Sequence, residues 1–431
     1  MKRIPIYRIV GPVVAVVGLM ATVFIAGAHA WRPAPTDFLW ISAGDHHTCA
    51  SRFDGTTWCW GQSDKGQLGN GVGSILPCPS GKWCISTPLP VANHAFGQVA
   101  AGGDTTCAID SGGAAFCWGD NTSGQVGTGS FAKSFYVTPQ AVTGGYNFKR
   151  LSVSSTSACG LAQSVPGAST GLLCWGGVDA ASSPSAVPIV YAWSQNFWDV
   201  SVSNGHVCTA SANAIASDID CAGMNTFGQL GANPNGFSSL LVGRTIVPWR
   251  QLAQPVFSSL GSNAEHVSAG GSAPFFLDGH PYTCADQMSG VVQCVGNNDF
   301  GQLGLGFGSS SVALPNGGMA FLPQTVGSGM PLSGVTTGMS HACAIDPYKS
   351  LAWCWGLGSS GELGNVNFLS SSISGPQLVY GGLSVRSITA GMSHTCAIGT
   401  DNHIYCWGDN SSGQLGVSTS LLRTFVPQRV L

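Results

Sequence analysis

The sequence predicts an all-β fold, a seven-bladed β-propeller with about four antiparallel strands in each blade. Seven times along the 431 residues, a cysteine is followed by a second cysteine 10 to 15 positions later. Each pair lies in a unit of roughly 50 residues, a length typical of propeller blades. Every unit contains three or four short apolar runs, separated by Gly, Asn, Asp and Ser. Alternating polarity in runs such as Thr-Cys-Ala-Ile favours strands over helices.

The cysteines predict disulfides inside the blades. Fourteen of the sixteen form the repeated pairs, and Cys78 and Cys84 lie together in an insertion of the first unit. We expect the two cysteines of a pair to end neighbouring strands of a hairpin, where opposed residues are within disulfide range. Buried free thiols are the alternative. The predicted pairs are Cys49 with Cys59, Cys78 with Cys84, Cys107 with Cys117, Cys159 with Cys174, Cys208 with Cys221, Cys284 with Cys294, Cys343 with Cys354 and Cys396 with Cys406.

The low charge content agrees with a closed ring of strands. Only 8% of the residues are charged, and the formal net charge is −3. A ring pairs its own strand edges, which explains how strands with so few charges avoid aggregation. The chain has no cluster of Lys and Arg after its N-terminus, so we predict no nucleic-acid partner, since phosphate backbones require a basic surface.

The first 30 residues predict a signal peptide. Lys2, Arg3 and Arg8 precede an apolar run over residues 9–27, and Ala28-His29-Ala30 has the small-x-small pattern of a cleavage site. We expect cleavage after Ala30 and a propeller over residues 31–431, located outside the cytoplasm as a secreted, periplasmic or surface protein. The alternative is a retained anchor, since the run is nearly long enough to span a bilayer. A membrane partner is predicted only in that case.

The units share more than their cysteines. The fullest copy, over residues 390–416, reads Gly-x-x-His-Thr-Cys-Ala-Ile, then Cys-Trp-Gly-Asp-Asn-x-x-Gly-Gln-Leu-Gly, and Pro-x-x-Val follows in most units. This repeat pattern resembles that of the regulator of chromosome condensation repeat family. The resemblance covers the whole predicted mature chain and is greatest to the cysteine-rich secreted bacterial members. The resemblance implies a seven-bladed propeller. It also implies structural roles for His47, His206, His341, His394, Trp60, Trp118, Trp175, Trp355 and Trp407.

Several units depart from the family pattern. The third unit lacks Gly-Gln-Leu-Gly. Thr105, Ser157 and Tyr282 occupy the histidine position of the second, third and fifth units, and Val295 replaces a tryptophan. These changes weaken any prediction of a symmetric site, but they leave the predicted fold unaffected.

The sequence predicts neither catalysis nor a bound cofactor or metal. Asp45, Asp104, Asp120 and Asp409 lie in repeat turns, where Asp bonds its own backbone. No Gly-x-Ser-x-Gly, His-Glu-x-x-His or phosphate-binding loop occurs. The repeated histidines would be spread around the ring rather than gathered on one ion, and no Cys-x-x-Cys pair suggests zinc.

Tryptophans in the insertions are the candidates for partner binding. Trp83 lies inside the predicted Cys78–Cys84 loop, and Trp193 and Trp198 belong to an aromatic-rich stretch before the fourth unit. Loops on a rigid scaffold often carry binding residues, and tryptophan is enriched at interface hot spots. The alternative is that these rings fold back over the rim of the propeller.

The favoured function is a secreted or surface-attached, non-enzymatic scaffold that binds another protein, as a monomer. The resemblance includes secreted bacterial propellers that block a β-lactamase, so inhibition of a secreted enzyme is the more specific hypothesis. There are two alternatives. One is guanine-nucleotide exchange on a small GTPase, suggested by the family name, and the other is cleavage of a polysaccharide by a hydrolase or lyase reaction. The last of these needs a convergent acidic cluster at the central channel.

Overall fold

The computed structural model describes residues 37–71, 77–92, 94–163, 170–178, 184–192, 196–212, 217–231, 246–247, 264–271, 280–306, 318–366 and 372–430. The predicted leader, residues 1–30, and Trp193 lie outside these ranges. Within them, no helix has the length and apolar character needed to cross a bilayer.

The described residues form seven four-stranded antiparallel sheets, which confirms the predicted seven-bladed propeller. Blades 1 to 4 comprise β1 (Phe38–Ala43), β2 (His47–Arg52), β3 (Thr57–Gln62) and β4 (Cys84–Pro90); β5 (Phe96–Gly102), β6 (Thr105–Asp110), β7 (Ala115–Asp120) and β8 (Phe135–Ala141); β9 (Asn147–Val153), β10 (Ser157–Gln163), β11 (Thr170–Gly176) and β12 (Ser185–Ala192); and β13 (Asn196–Ser203), β14 (His206–Ala212), β15 (Ser217–Met224) and β16 (Ile246–Val247). Blades 5 to 7 comprise β17 (Ala264–Gly270), β18 (Tyr282–Gln287), β19 (Val292–Asn297) and β20 (Met319–Thr325); β21 (Ser333–Thr337), β22 (His341–Ile345), β23 (Ala352–Leu357) and β24 (Ser372–Leu378); and β25 (Val385–Ala390), β26 (His394–Gly399), β27 (Ile404–Asp409) and β28 (Arg423–Arg429). A 3-10 turn, Val326–Gly329, follows β20.

Each blade runs from an inner strand at the channel to an outer strand at the rim, so its connections alternate between two faces. The upper face carries the turn between the first and second strands and the loop between the third and fourth. The lower face carries the hairpin between the second and third strands and the connection to the next blade. In blade 1 the lower hairpin is closed by Asp54, whose Oδ1 accepts the backbone N–H of Thr56, and by Gly55 at φ +85°. Such Asp-Gly turns predict tight hairpins from sequence.

The cysteines pair as predicted, but their position within the strands differs from the expectation. Cys49 lies directly opposite Cys59, and the same register recurs in every blade. The Cα atoms of these seven pairs are 4.0–4.2 Å apart. The pairs lie in the middle of the second and third strands and not at their ends. There the pleat directs the sulfurs into the core between blades, and all fourteen are fully buried.

We call the contact region between two neighbouring blades a seam, and the blade numbers identify it. At four of the seven seams, within the described residues, a histidine, a threonine and a backbone carbonyl oxygen are joined by hydrogen bonds that we call the polar relay. In seam 1/2, His47 Nε2 lies 2.8 Å from Thr106 Oγ1, and that hydroxyl donates to the carbonyl oxygen of Gln67 at 2.9 Å. Trp118 Nε1 donates to the same oxygen at 2.9 Å. Equivalent relays join His206, Thr283 and Gln229; His341, Thr395, Glu362 and Trp407; and His394, Thr48, Gln414 and Trp60.

The relay histidines are neutral because they are buried. Burial lowers the pKa of His47 and of His341 to about 3, and that of His206 to about 4. A neutral imidazole can donate through Nε2 to the threonine while the hydroxyl donates onward to the carbonyl, so both donors are used. The other ring nitrogen, Nδ1, has no hydrogen-bond partner within the described residues in His47 and His394. These contacts support the structural role that the resemblance implies for the four histidines.

The ring closes without exchanging a strand between its ends. Blade 1 consists of β1–β4 and blade 7 of β25–β28, so each is made of four consecutive strands. Closure therefore depends on side-chain contacts across seam 7/1. Besides the relay, Asn402 Oδ1 accepts the backbone N–H of Phe38 at 3.0 Å, and Thr389 Oγ1 accepts that of Ala43 at 3.2 Å.

Candidate binding surface

The structure separates the tryptophans that the sequence put forward. Trp83 lies on the upper face with 47% of its side chain exposed. Trp198 is in the inner strand β13 near the lower face and is 38% exposed. Its Nε1 donates to the carbonyl oxygen of Glu265 in blade 5 at 3.0 Å, so part of this ring serves seam 4/5. Trp83 and Trp198 therefore do not belong to one surface, and Trp193 lies outside the described residues.

Trp83 is presented by a short, closed loop. Cys78 pairs with Cys84, the first residue of β4, with Cα atoms 5.7 Å apart. Between them the chain makes a turn in which the backbone N–H of Gly81 donates to the carbonyl oxygen of Cys78 at 2.8 Å. The carbonyl oxygen of Trp83 accepts the backbone N–H of Ser63 at 2.7 Å. The loop is thus fixed to blade 1 at its base, while the indole ring remains available to a partner.

The same loop reaches across the closing seam to blade 7. The backbone N–H of Ser80 donates to the carbonyl oxygen of Ser411 at 3.0 Å, and Ser412 Oγ donates to Ser80 Oγ at 3.0 Å. These serines begin the upper loop of blade 7, which also exposes Leu421 and Leu422 at 49% and 54%. We call Trp83, Leu421 and Leu422 the seam patch, because they flank seam 7/1 on the upper face.

Asn410 holds the leucine segment of the seam patch in place. Its backbone N–H donates to the carbonyl oxygen of Leu422, and its side-chain Nδ2 donates to that of Leu421, both at 2.8 Å. Asn410 Oδ1 in turn accepts the backbone N–H of Leu415 at 3.1 Å. A buried asparagine that bonds three backbone groups fixes the loop, so the two leucines are exposed on an ordered segment.

An acidic cluster adjoins the loop at seam 1/2. Gln62 Nε2 donates to Asp64 Oδ1 at 2.6 Å and to Asp104 Oδ1 at 3.3 Å, and Gln67 Nε2 donates to Asp104 Oδ1 at 3.1 Å. The turn chemistry expected for Asp104 is therefore wrong, because its carboxylate bonds side chains of blade 1 and not its own turn. The expectation is right for Asp409, whose Oδ1 accepts the backbone N–H of Ser411 at 3.3 Å. Asp120 bonds its own turn through a side chain instead, since its Oδ2 accepts the hydroxyl of Thr122 at 2.6 Å.

The charges of this cluster are only partly balanced. Burial, together with the charges of Asp45, Asp64 and Asp120, raises the pKa of Asp104 to about 7. Lys65 Nζ lies 3.8 Å from Asp120, and the exposed Lys82 Nζ lies 3.6 Å from Asp64. Four carboxyl groups thus share two lysines. Within the described ranges, no three His, Cys, Asp or Glu side chains are arranged to hold a metal ion.

The central channel has two different ends. At the upper mouth, a cavity of about 170 Å³ is lined by the seven turns between first and second strands, mostly Gly and Ser, with Asp45, Asn204, Met339 and Met392. At the lower mouth, a larger cavity of about 340 Å³ is lined by Trp40, Arg150, Asp199, His266 and Arg386, among others. The only ion pairs that line the channel in the described residues are at the lower mouth.

Sequence reasoning missed three features of these surfaces: Asp64 with Asp104, Leu421 with Leu422, and the lower-mouth charges. One signal was present. Three of the seven units place Asp or Asn directly after the Gly of Trp-Gly or its equivalent, at Asp120, Asn297 and Asp409, whereas the first unit has Gln62. A glutamine side chain is long enough to reach the next blade, which an aspartate is not. The other two features depend on which residues the ring brings together, and no local pattern encodes that.

Comparison with known proteins supports the repeat assignment. Two family models, both described as regulator of chromosome condensation (RCC1) repeat, match the chain. The first covers residues 41–67, 98–125 and 385–414, and the second covers residues 112–164, 351–398 and 401–431. Together they reach blades 1, 2, 3, 6 and 7, the blades in which a tryptophan follows the second cysteine.

Proteins similar in sequence and in structure are also repeat propellers. The chain is 24% identical over 375 residues to E3 ubiquitin-protein ligase HERC2 of Homo sapiens, spanning 84% of this chain but only 7% of that protein. It is 25% identical over 401 residues to ultraviolet-B receptor UVR8 of Arabidopsis thaliana, spanning 91% and 81%. The structure of Prp20p from Saccharomyces cerevisiae, described with its binding to Gsp1p and histones, aligns with TM-score 0.68 at 16% identity, covering 92% and 88%. At that identity the likeness concerns the fold alone.

Proposed function

We propose that this chain, which belongs to the regulator of chromosome condensation repeat family, is a secreted, non-enzymatic propeller that binds another protein through the seam patch. The observation that carries the proposal is Trp83, an exposed indole on a disulfide-closed loop that is hydrogen-bonded to two blades. Tryptophan is among the residues that dominate interface energies when a partner buries them.

The seam patch is held rigid before any partner arrives. The loop is closed by Cys78–Cys84 and fixed by the bonds of Ser63 and Ser80, and Asn410 fixes the leucine segment. Ordering an interface loop on binding costs about 0.5–1.5 kcal/mol for each immobilised side chain, so an ordered loop avoids much of this cost. Preorganisation therefore favours a role of Trp83 in recognition over a role as surface filler.

The lower face offers a less coherent surface. Its most exposed apolar side chains are Met288 and Tyr348, in the hairpins of blades 5 and 6, and Tyr380, in the connection from blade 6 to blade 7. Single exposed apolar residues are ordinary on protein surfaces. The seam patch instead concentrates three large side chains beside one seam, and the acidic cluster lies next to it. A partner that fits both would present an apolar ridge flanked by basic side chains.

Secretion is part of the proposal and is supported by the leader pattern and the cysteines. Eight disulfides would not persist in a reducing cytoplasm. Cleavage after Ala30 is tested by N-terminal sequencing of the exported protein, which should begin at Trp31.

The experiment compares three immobilised proteins incubated with the medium of the native source: the unaltered chain, Trp83→Ala, and Tyr348→Ala as a matched control. Tyr348 is an exposed aromatic residue on the opposite face. We expect a partner, identified by mass spectrometry and then purified, to bind the unaltered chain and Tyr348→Ala equally and Trp83→Ala at least tenfold more weakly. Equal binding to Trp83→Ala and the unaltered chain would refute the seam patch as the contact.

Inhibition of a secreted enzyme is the finer hypothesis within this proposal. Purified propeller at micromolar concentration is mixed with secreted β-lactamases, and hydrolysis is followed. Inhibition that is lost in Trp83→Ala would support blockage through the seam patch. Unaltered hydrolysis would leave general protein binding as the proposal and remove this enzyme class.

The acidic cluster favours one second candidate, hydrolysis of a polysaccharide. A carboxyl group with its pKa raised to about 7 in a group of other carboxyl side chains is what a general acid requires. Two amide groups already bond Asp104 Oδ1, which instead suits a fixed structural carboxylate. A glycan screen with the unaltered chain and Asp104→Asn distinguishes these roles, since only activity that is absent from the variant supports catalysis.

A further inference from the structure

The lower mouth of the channel contains a cavity of about 340 Å³ that lies apart from the seam patch. It is lined by the beginnings of the inner strands, which place Trp40, Gln98, Arg150, Asp199, His266 and Arg386 around one opening. A volume of this size is at the lower end of the range for small-molecule sites. What it can bind depends on which polar groups remain unused by the protein itself.

Arg150 is fixed in place while most of its guanidinium remains free. Its Nε donates to Asp199 Oδ1 at 2.9 Å, and its guanidinium carbon lies 4.9 Å from the ring centre of Trp40. A cation stacked on an aromatic face and tied by one hydrogen bond has little freedom. Within the described residues, neither Nη atom of Arg150 has a hydrogen-bond partner. We call these two nitrogens the Nη edge, and both are available to donate to a ligand.

The carboxylate and the side-chain amide that line the cavity are already used. Asp199 Oδ2 accepts the backbone N–H of Val267 at 3.2 Å and lies 3.5 Å from His266 Nδ1. The side-chain amide of Gln98 bonds both backbone groups of Leu151, at 3.1 and 3.3 Å. The charged groups that remain unpaired are therefore hydrogen-bond donors, so a ligand that binds here must carry hydrogen-bond acceptors.

The neighbouring charges leave these donors available. His266 also lies 3.7 Å from the half-exposed Glu265, and Asp286 accepts the backbone N–H groups of His266 and Val335. Arg386 donates through Nη2 to the carbonyl oxygen of Phe38 and to Asn402 Oδ1, leaving its other nitrogens unused. Within the described residues, no carboxylate accepts a hydrogen bond from Arg386 or from the Nη atoms of Arg150; the one neighbouring charge that acts on Arg386 is that of the buried Asp37.

Asp199 remains ionised across the physiological range, so the position of Arg150 does not depend on pH. Burial raises the pKa of Asp199, but the contact with His266 and the charge of Arg150 outweigh it and hold that pKa below its usual value. Conversely, burial lowers the pKa of His266, and its contacts with Asp199, Asp286 and Glu265 outweigh burial and raise it.

We infer that the lower mouth of the channel is a binding site for a carboxylate group, held by the Nη edge of Arg150 with Arg386 as a second cationic contact. An arginine fork matches a carboxylate in two parallel hydrogen bonds. The carboxylate belongs either to a small organic acid or to an acidic side chain of a bound polypeptide. The site is independent of the seam patch, which lies on the other face.

The test is a titration of the purified propeller, with its disulfides intact, in a chloride buffer. Binding of each probe is measured by saturation-transfer difference NMR. The probes are succinate, its neutral analogue succinamide, and the peptide acetyl-Ala-Glu-Ala-amide. We expect saturable binding of succinate, of the peptide or of both, and none of succinamide. Binding of succinate alone assigns a small acid, and binding of the peptide alone assigns a polypeptide side chain.

Variants separate a built site from general attraction by charge. Arg150→Met should weaken binding at least tenfold, because it removes the fork. The matched control is Lys149→Met, which removes the same charge from the exposed neighbouring residue of β9 and should change binding less than twofold. Trp83→Ala should also leave this binding unchanged, whatever its effect on a protein partner.

Three results would overturn the inference: no saturable binding of either carboxylate, equal binding of succinamide, or equal losses in Arg150→Met and Lys149→Met. Arg150→Met leaves Asp199 without its guanidinium and could unfold. Arg386→Met then replaces it, because the hydrogen bonds of Arg386 go to the carbonyl oxygen of Phe38 and to Asn402 Oδ1 and not to a carboxylate. A loss below twofold in Arg386→Met, with Arg150→Met unfolded, would also count against the site.

Discussion

Seam 7/1 and seam 3/4 join neighbouring blades by opposite chemistry. In seam 7/1, His394 Nε2 lies 2.9 Å from Thr48 Oγ1, and Thr48 Oγ1 and Trp60 Nε1 both donate to the carbonyl oxygen of Gln414 at 2.9 Å. All these side chains are fully buried. The seam that closes the ring is therefore specified by directional hydrogen bonds that tolerate only one register.

Seam 3/4 lacks every part of that relay. Ser157 replaces the histidine, Val207 the threonine and Ala222 the tryptophan, and the third unit has no Gly-Gln-Leu-Gly. Blades 3 and 4 pack instead through a core of buried apolar side chains. Its members include Leu161, Leu172, Val178, Phe197, Val200 and Val202. Polar bonds are confined to the ends of the seam, where Ser155 Oγ donates to Asn204 at 2.6 Å and Arg150 pairs with Asp199.

The difference teaches that the histidine and the threonine of the relay are retained or replaced together. Each of the four histidines faces a threonine of the next blade. The three blades without the histidine are each followed by a blade without the threonine: Thr105 precedes Ala158, Ser157 precedes Val207, and Tyr282 precedes Ala342. A buried donor or hydroxyl left without its partner costs about 1–3 kcal/mol, so half a relay is worse than none.

The largest effect is expected from making seam 7/1 resemble seam 3/4 at the tryptophan. Trp60→Ala should lower the free energy of unfolding by about 3–5 kcal/mol, because it empties a fully buried site beside Phe38, Ile41 and Leu415. Urea denaturation under non-reducing conditions measures this change. The control is Trp83→Ala at the exposed loop, which should change stability by less than about 0.5 kcal/mol. Similar losses in the two variants would contradict the comparison.

A smaller effect isolates the hydrogen bond from packing. Thr48→Val keeps the shape and leaves His394 Nε2 unpaired, so it should cost about 2 kcal/mol. The matched control is Thr209→Val in blade 4, because Thr209 Oγ1 is buried and has no hydrogen-bond partner within the described residues. Thr209→Val should be neutral or stabilising. Equal effects on the melting temperature would show that the relay threonine acts only by filling space.

The smallest effect concerns pH. Burial lowers the pKa of His206 to about 4 in the fold, below the unfolded value of 6.5. The unfolded chain therefore binds more protons below pH 6.5, and the stability that His206 contributes is lost as pH falls from 6.5 towards 4. Between pH 7 and 5.5 this loss is about 1 kcal/mol. His206→Gln, which keeps a donor for Thr283, should flatten the pH dependence by that amount.

Two buried carboxyl groups change the stability with pH in the opposite direction, but their effect cancels when the two proteins are compared. Burial raises the pKa values of Asp104 and Glu362 to about 7, so their contribution is fully present at low pH and is lost as pH rises towards 7. Both groups are present in the unaltered chain and in His206→Gln. The difference between the two proteins therefore reports the histidine, and identical pH profiles would refute its buried, neutral state.

Much of the fold could be predicted because each blade depends on short sequence patterns that lie within one unit and recur in all seven. The cysteine pairs, the short alternating runs and the turn residues recur in every unit, so seven weak signals reinforce one another. The position of the cysteines inside the strands was not predicted, because sequence spacing fixes which residues oppose each other but not how far each strand extends beyond them. The candidate site was predicted only at Trp83, since a short disulfide loop exposes its residues in any context.

The sequence by itself determined seven disulfide-bonded hairpins, their order in a ring and, through the family resemblance, the structural roles of the repeated His and Trp, because each depends on contacts within one unit or between equivalent positions of successive units. Only the tertiary structure decided that the Trp83 loop bonds the blade 7 loop that exposes Leu421 and Leu422, that Asp64 approaches Asp104, and that the Nη atoms of Arg150 are unpaired in the channel. These contacts join residues that break the repeat, or that lie at opposite ends of the chain. Their proximity follows from closing the ring, which places blade 7 against blade 1 and seven inner strands around one axis.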